Sequence, residues 1–264
     1  MVVLCVYSHS DFFDILKIQV DYIKSLNIPC DIYLFVNTPF NMNGGKRIKY
    51  KSVKRRYGTR KKMHGGNNIK TILYDESKPY FHRLMTCIKE VNSDYIIFTH
   101  EDNILLQFDI DVINSMIHVM KVNKIDCIDL SNQVSDSTNT KSKIHIKDTL
   151  YISQSKDFSV GPRIWSRESL LKLYSSFTGK NYHASENSEV QEAFKTYYNT
   201  YILNDTNIIK SFFPSTKYYT FMHLTKSGSI VQYNKKQNMN PIMIGEYAKI
   251  KDKYFKNTKR AFYP

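Results

Sequence analysis

The sequence predicts an α/β fold: a single domain with an open, mostly parallel central sheet flanked by helices. Three observations predict it. From Val2 to about Leu130, short runs of β-branched and aromatic residues alternate with segments whose apolar residues recur near every 3.6 positions. The first of these runs, Val2 to Tyr7, is apolar throughout, as expected for a strand covered on both faces. The composition is that of a globular protein able to bury a large core, with 42% apolar residues and only nine Gly and seven Pro in 264 residues. Length alone allows one domain or a domain with an appendage.

The first strand ends at Ser8-His9-Ser10. Asp11 is a plausible N-cap for a helix in which Phe12, Ile15, Leu16, Gln19, Tyr22, Ile23 and Leu26 follow a helical period until Pro29 interrupts it. Cys30 to Val36 reads as a second strand, closing a β-α-β unit. Ile69 to Tyr74 is a third strand, Pro79 to Val91 a helix with Leu84, Ile88 and Val91 inward, and Tyr95 to Thr99 a fourth strand. A helix over Asp111 to Asn123 turns Val112, Met116, Val119 and Met120 to one side, and Cys127 to Leu130 gives a fifth strand. Beyond it the pattern loosens. Ser131 to Lys147 reads as a polar loop, Thr149 to Ser153 and Thr216 to Leu224 as strands, and Arg167 to Phe177 and Glu186 to Tyr198 as helices. The tail from Lys235 is basic and aromatic. With no internal repeat, the chain divides into halves of one domain: 1–132, with a basic loop at 41–68, and 133–264.

The formal charge of +14 is concentrated. Ten Lys and Arg and no acid lie between Asn41 and Asn68, bracketed by Gly44-Gly45 and Gly65-Gly66; removing those ten leaves +4 for the rest. This segment has no apolar period to anchor it in a core. Cys5, Cys30, Cys87 and Cys127 lie far apart in apolar segments, which implies buried reduced thiols and neither a zinc site nor a disulfide framework. No run of about 18 uncharged apolar residues occurs, and the N-terminal apolar stretch is short and lacks a basic leader; a soluble cytoplasmic protein is expected.

Ligands of open α/β sheets bind at the carboxyl ends of the strands. Here those ends carry Ser8, His9 and Ser10; Asn37 and Thr38; Asp75 and Glu76; and His100, Glu101 and Asp102. Neither a Gly-x-Gly-x-x-Gly nor a Walker loop follows a strand, so a bound diphosphate would need a metal. In an extended segment His100 and Asp102 point one way and Glu101 the other. Two readings of the triplet fit the spacing. Asp102 holds a divalent cation that neutralises a diphosphate leaving group, or the triplet caps a following helix.

Tyr95-Ile-Ile-Phe-Thr-His-Glu-Asp-Asn-Ile-Leu-Leu106 resembles the strand and Asp-x-Asp region of GT-A glycosyltransferases, especially bacterial and viral members with a His-Glu-Asp variant. Tyr74-Asp-Glu-Ser77, Tyr80-Phe-His-Arg-Leu84 and Phe158-Ser-Val-Gly-Pro-Arg-Ile-Trp165 are similar to the same group. The resemblance spans most of the chain and is densest over 70–106, with His100 standing where the family has its first Asp. It implies a Rossmann-like GT-A domain whose first half takes the nucleotide sugar and whose second half faces the acceptor. It implies transfer of a sugar from a UDP- or GDP-sugar to a glycan or glycoprotein, with Mn²⁺ or Mg²⁺ as cofactor. Asp102 and the late His223 then become metal ligands, imidazole favouring Mn²⁺. His223 fits equally as a packed histidine. Ser8, His9, Asn37, Asp75, His100 and Glu101 become donor-binding candidates. An inverting enzyme needs a carboxylate to take the acceptor proton. Glu189 and, second to it, Glu186 lie where the family places that acid; plain helix N-terminal acids are the other reading. Pro162, Arg163 and Trp165 are expected near the acceptor, Arg163 for phosphate and Trp165 for stacking, with a core position the alternative for Trp165. The richness in Lys, Asn, Ile and Tyr fits an AT-rich genome, such as that of a parasite or large virus.

Two rival readings exist. The ten cations, with Tyr50 and Tyr57 among them, suit nucleic acid or an anionic membrane surface, although no nucleic-acid motif accompanies the 46–62 segment. A nucleotidyltransferase of similar fold is the other.

Overall fold

A computed structural model of the protein describes residues 2–40, 69–130, 143–148, 150–155, 161–177, 188–205, 219–226, 228–233, 241–256 and 258–263. The basic 41–68 segment and Glu186 lie outside the described residues.

The first half follows the predicted alternation. β1 (Val2–Tyr7) leads through a 3-10 turn (Ser10–Phe12) into α1 (Phe13–Ser25), then β2 (Asp31–Val36), β3 (Ile69–Leu73), α2 (Tyr80–Lys89), β4 (Tyr95–His100), β5 (Asn103–Phe108), α3 (Ile110–Asn123) and β6 (Cys127–Asp129). The second half adds β7 (Lys143–Lys147), β8 (Leu150–Gln154), β9 (Arg163–Ser166), α4 (Arg167–Ser176), α5 (Ser188–Tyr197), β10 (Thr200–Asp205), β11 (Tyr219–His223), β12 (Thr225–Lys226), β13 (Ser229–Ile230) and α6 (Pro241–Tyr254).

Among the described residues, nine strands form one sheet in the order β3-β2-β1-β4-β9-β6-β10-β8-β7. β3, β2, β1 and β4 are parallel, β9 runs against both β4 and β6, β10 is parallel to β6, and β8 opposes β10 and β7. All but β9 and β8 therefore share one direction, giving a mixed α/β domain with a mostly parallel sheet. The 3-2-1-4 order at one edge is that of a doubly wound half.

Why the sheet is buried on both faces is legible in β1. Val2, Leu4 and Val6 pack with Leu16 and Val20 of α1 and Val112 and Met116 of α3, whereas Val3, Cys5 and Tyr7 pack with Leu84 and Ile88 of α2 and Leu170 and Leu173 of α4. A strand that feeds two cores needs apolar residues at every position. A third cluster joins Ile15 and Ile18 of α1 to Ile104, Met222, Leu224 and the α6 residues Met243, Tyr247 and Ile250. It carries the separate β5–β11 ribbon, which stands at the carboxyl end of β4.

Several elements differ from the sequence reading. His100 ends β4, Glu101 and Asp102 form a two-residue turn, and β5 begins at Asn103, so the triplet joins two strands and caps no helix. Lys143–Lys147, read as loop, is an edge strand with half-exposed alternation, too polar to show a core signal. β9 is buried at the sheet centre: Arg163 and Trp165 are each 2% exposed. Arg163 donates through Nη2 to the buried Asp129, at 2.5 Å, and Trp165 packs edge-on to Phe194. The expected phosphate and sugar roles for these two residues are therefore replaced by an internal ion pair and a core ring. β10 and α6 were not foreseen, since their short or weakly periodic sequences gain their form from neighbours.

Candidate active site

The carboxyl ends of β1, β2, β3 and β4 meet the end of β11 at one edge of the sheet. Register brings this about: Tyr7 lies opposite His100, and Ser8 N–H donates to the Phe35 carbonyl, Glu101 N–H to the Tyr7 carbonyl, and Leu224 N–H to the Asp102 carbonyl. The last of these, at 2.6 Å, ties the fourth strand's exit to the ribbon.

At the ribbon end, Asp102 and His223 face each other, His223 Nε2 lying 3.5 Å from Asp102 Oδ2, both partly exposed. Thr225 Oγ1 donates to Oδ2 at 3.1 Å and Asn103 Nδ2 to Oδ1 at 3.0 Å. His223 is held from the other side, because the Tyr233 hydroxyl donates to its carbonyl and Asn103 Oδ1 sits 3.3 Å from its Nδ1. Among the described residues no group of three or more His, Cys, Asp or Glu side chains forms a closed cation cage. A carboxylate and an imidazole alone are an incomplete set, suited to a cation that takes its remaining ligands from water and phosphate oxygens.

The rest of the triplet lies in apolar surroundings. His100 continues the face of Ile96 and Phe98: its Nε2 is 2.7 Å from the Tyr80 hydroxyl, and its ring meets Tyr7 and Phe98 edge-on. Burial holds the imidazole below its usual pKa, and nearby His223 adds to this, while Asp102 opposes it. Glu101 is 8% exposed. Burial, reinforced by Asp102, pushes its carboxyl well above the usual range.

A second network occupies the ends of β1 to β3. His9 Nδ1 accepts from the Asp11 N–H at 3.3 Å, so Nε2 carries the proton and donates to Glu76 Oε1 at 2.6 Å. Asn37 Nδ2 then gives its two hydrogens to Ser10 Oγ at 3.1 Å and Glu76 Oε2 at 3.0 Å, while Asn37 Oδ1 accepts from Ser10 N–H at 2.8 Å. The Asn37 and His9 hydrogen bonds hold the Glu76 carboxyl below its usual pKa. Beneath lies an aromatic floor, with Tyr7 stacked on Tyr74 at 5.0 Å and Tyr80 edge-on at 5.3 Å. Ser8 is fully buried under this rim, its carbonyl accepting from the Tyr74 hydroxyl at 3.0 Å. Asp75 closes the turn into α2, its Oδ1 accepting from the Ser77 N–H and hydroxyl. It also lines a surface cavity of about 170 Å³ with Leu73, Lys78, His82, Arg83 and Thr86.

Arg260, near the C-terminal end of the described residues, ties two neighbouring elements together. Arg260 pairs through Nε and Nη2 with both oxygens of Asp14, at 2.6 and 2.7 Å, and through Nη1 with the Gly228 carbonyl at 3.1 Å. It thus links the first turn of α1 to the β12–β13 hairpin.

The fold gathers Ser8, His9, Asn37, Asp75, His100, Glu101, Asp102 and His223 at one sheet edge, in two networks joined by the Tyr7 and Tyr80 rings. The backbone of Glu189 lies in the first turn of α5. Sequence reasoning gave no role to Asn103, Thr225, Tyr80 or Arg260, and noted Glu76 only as a strand end. Asn103 adjoins the triplet, so adjacency was its one available signal; pairing across the ribbon could supply the rest only after folding.

No family model and no curated protein sequence matches the chain. Among solved structures it is similar to residues 1–349 of S. aureus TarS in complex with UDP-GlcNAc, at 10% identity over 98% of this chain and 67% of that one, TM-score 0.47. It is also similar to a cytidylyltransferase from Leptospira borgpetersenii, at 11% identity over 100% and 99%, TM-score 0.45. A second structure of TarS 1–349 matches at 10% identity over 76% of this chain and 57% of that one, TM-score 0.42. The chain spans about half the length of some of these proteins: 57% of that TarS structure and 48% of the bifunctional IspDF from Campylobacter jejuni. At these identities and TM-scores the likeness assigns no activity. No helix among the described residues is long and apolar enough to cross a membrane.

Proposed function

We propose that the protein is a metal-dependent glycosyltransferase of the GT-A type, moving a sugar from a UDP- or GDP-sugar to a glycan or glycoprotein acceptor. The supporting observation is the Asp102–His223 pair at 3.5 Å, facing the carboxyl ends of a doubly wound strand set. One carboxylate and one imidazole, each partly exposed and each held by further hydrogen bonds, suit Mn²⁺, or Mg²⁺ with a weaker imidazole bond. When bound, such a cation neutralises the diphosphate leaving group.

The chain's own residues supply the rest. The His9–Asn37–Glu76 network offers fixed donors and acceptors at the nucleoside end of a donor, above the Tyr7 and Tyr74 rings. His100, whose charged form is disfavoured by burial, positions Tyr80 and the floor. Asp75 and Glu101 complete the donor side as rim and buried acid. Glu189, with Glu186 as second choice, is the carboxylate proposed to take the acceptor hydroxyl proton as the glycosidic bond forms.

The test is product analysis with a panel of UDP- and GDP-sugars, Mn²⁺ and glycan acceptors. Release of nucleoside diphosphate that is lost in Asp102→Ala supports the proposal. Release of pyrophosphate from nucleoside triphosphates, with none of the diphosphate, points instead to nucleotidyl transfer. Unchanged turnover in Asp102→Ala contradicts it.

A further inference from the structure

Asn103 lies directly opposite His223 in the antiparallel β5–β11 register, is 9% exposed, and touches both members of the Asp102–His223 pair. A carboxylate only accepts hydrogen bonds, so the 3.0 Å contact to Asp102 Oδ1 must come from the Asn103 NH₂ group. That fixes which way the amide faces. Its carbonyl oxygen then lies 3.3 Å from His223 Nδ1, and a carbonyl also only accepts, so Nδ1 must carry the imidazole proton. In the neutral ring the lone pair is left on Nε2, the atom 3.5 Å from Asp102 Oδ2. Two lone-pair atoms pointed at each other repel unless a proton or a cation lies between them. Thr225 Oγ1 adds a hydrogen bond to the same Oδ2, at 3.1 Å, and so holds the carboxylate without touching the imidazole.

We propose that Asn103 is a positioning residue: one amide orients the Asp102 carboxylate and selects the His223 tautomer, presenting Oδ2 and Nε2 together as a two-atom half-site for a divalent cation. This rests on the metal reading of the pair for its purpose, but the tautomer it requires is a property of the metal-free protein. A partner that orients a ligand imidazole typically contributes about 10–100-fold in metal affinity.

The experiment is ¹⁵N NMR of the His223 ring in the metal-free protein at alkaline pH, where an ordinary imidazole is neutral, with Mn²⁺ affinity measured by electron paramagnetic resonance. The wild-type ring is expected with its proton on Nδ1. Asn103→Leu should shift the ring toward the Nε2–H form and weaken Mn²⁺ binding by on the order of tenfold or more. Thr225→Val should leave the tautomer unchanged. An Nε2–H or doubly protonated wild-type ring overturns the proposal without recourse to any variant, as does a folded Asn103→Leu protein with unaltered tautomer and affinity. A wild-type protein with the expected tautomer but no Mn²⁺ affinity overturns the metal reading and leaves the orienting role of Asn103 standing.

Discussion

Asp102 carries more of the proposed chemistry than any other side chain, and its environment predicts that replacing it leaves the fold intact. It is partly exposed and lies in a turn, so Asp102→Ala removes hydrogen bonds from Thr225 and Asn103 without opening a cavity in the core. The expected outcome is a thermal transition within a few degrees of wild type, with Mn²⁺-dependent donor binding abolished; calorimetry on the variant checks both. His223→Ala should act in the same direction, weakening Mn²⁺ affinity by more than about tenfold, or roughly 1.4 kcal/mol. An unaltered affinity would return His223 to the role of a packed histidine. Triplet and late histidine were visible in the sequence; the contact of His100 with Tyr80 was not. The pairing of Asp102 with His223 was implied by the family resemblance alone, because its geometry depends on β5 and β11 lying in one ribbon.

At the scale of elements, β9 shows how a short strand is fixed by charge as well as by apolar packing. Arg163 and Asp129 are both buried and paired across β9 and β6. Asp129→Ala removes the carboxylate that faces a buried guanidinium and should cost about 3–5 kcal/mol, whereas replacing both partners by apolar residues of like volume should cost far less. Chemical denaturation of the single and double variants measures the difference. α3 provides a milder case. The Asp109 side chain accepts from the N–H groups of Asp111 and Val112, at 2.9 and 3.2 Å, so Asp109→Ala should lower stability by about 1 kcal/mol. Long periodic segments such as α1, α2 and α3 were legible because an amphipathic face writes itself into the spacing. β9 was not, since four residues carry too little pattern and an arginine inside a sheet reads as surface until its partner is in place.

Over the whole molecule, the continuous apolar run of β1 predicted a strand covered on both faces, and the two clusters on either side of it bear that out. The antiparallel insertion of β9 and the ribbon that completes the site depend on long-range pairings that local sequence does not encode. All four cysteines are buried in this scaffold. Burial pushes Cys30 up to about 11 and Cys87 and Cys127 up to about 12, and holds Cys5 well above its usual value. The native protein should therefore be inert to a disulfide reagent at pH 8, with four thiols reacting once it is unfolded; rapid native labelling would contradict this packing. The proposed function binds these scales together, since it needs a cation shared between Asp102, His223 and a donor diphosphate. The most direct measurement is the melting temperature in the presence of UDP- and GDP-sugars, with and without Mn²⁺, for wild type and Asp102→Ala. A donor at about a hundredfold its Kd stabilises the folded state by about 2.7 kcal/mol. A rise that requires Mn²⁺ and vanishes in Asp102→Ala is the predicted result; no rise with any nucleotide sugar, or one indifferent to both Mn²⁺ and Asp102, would contradict it.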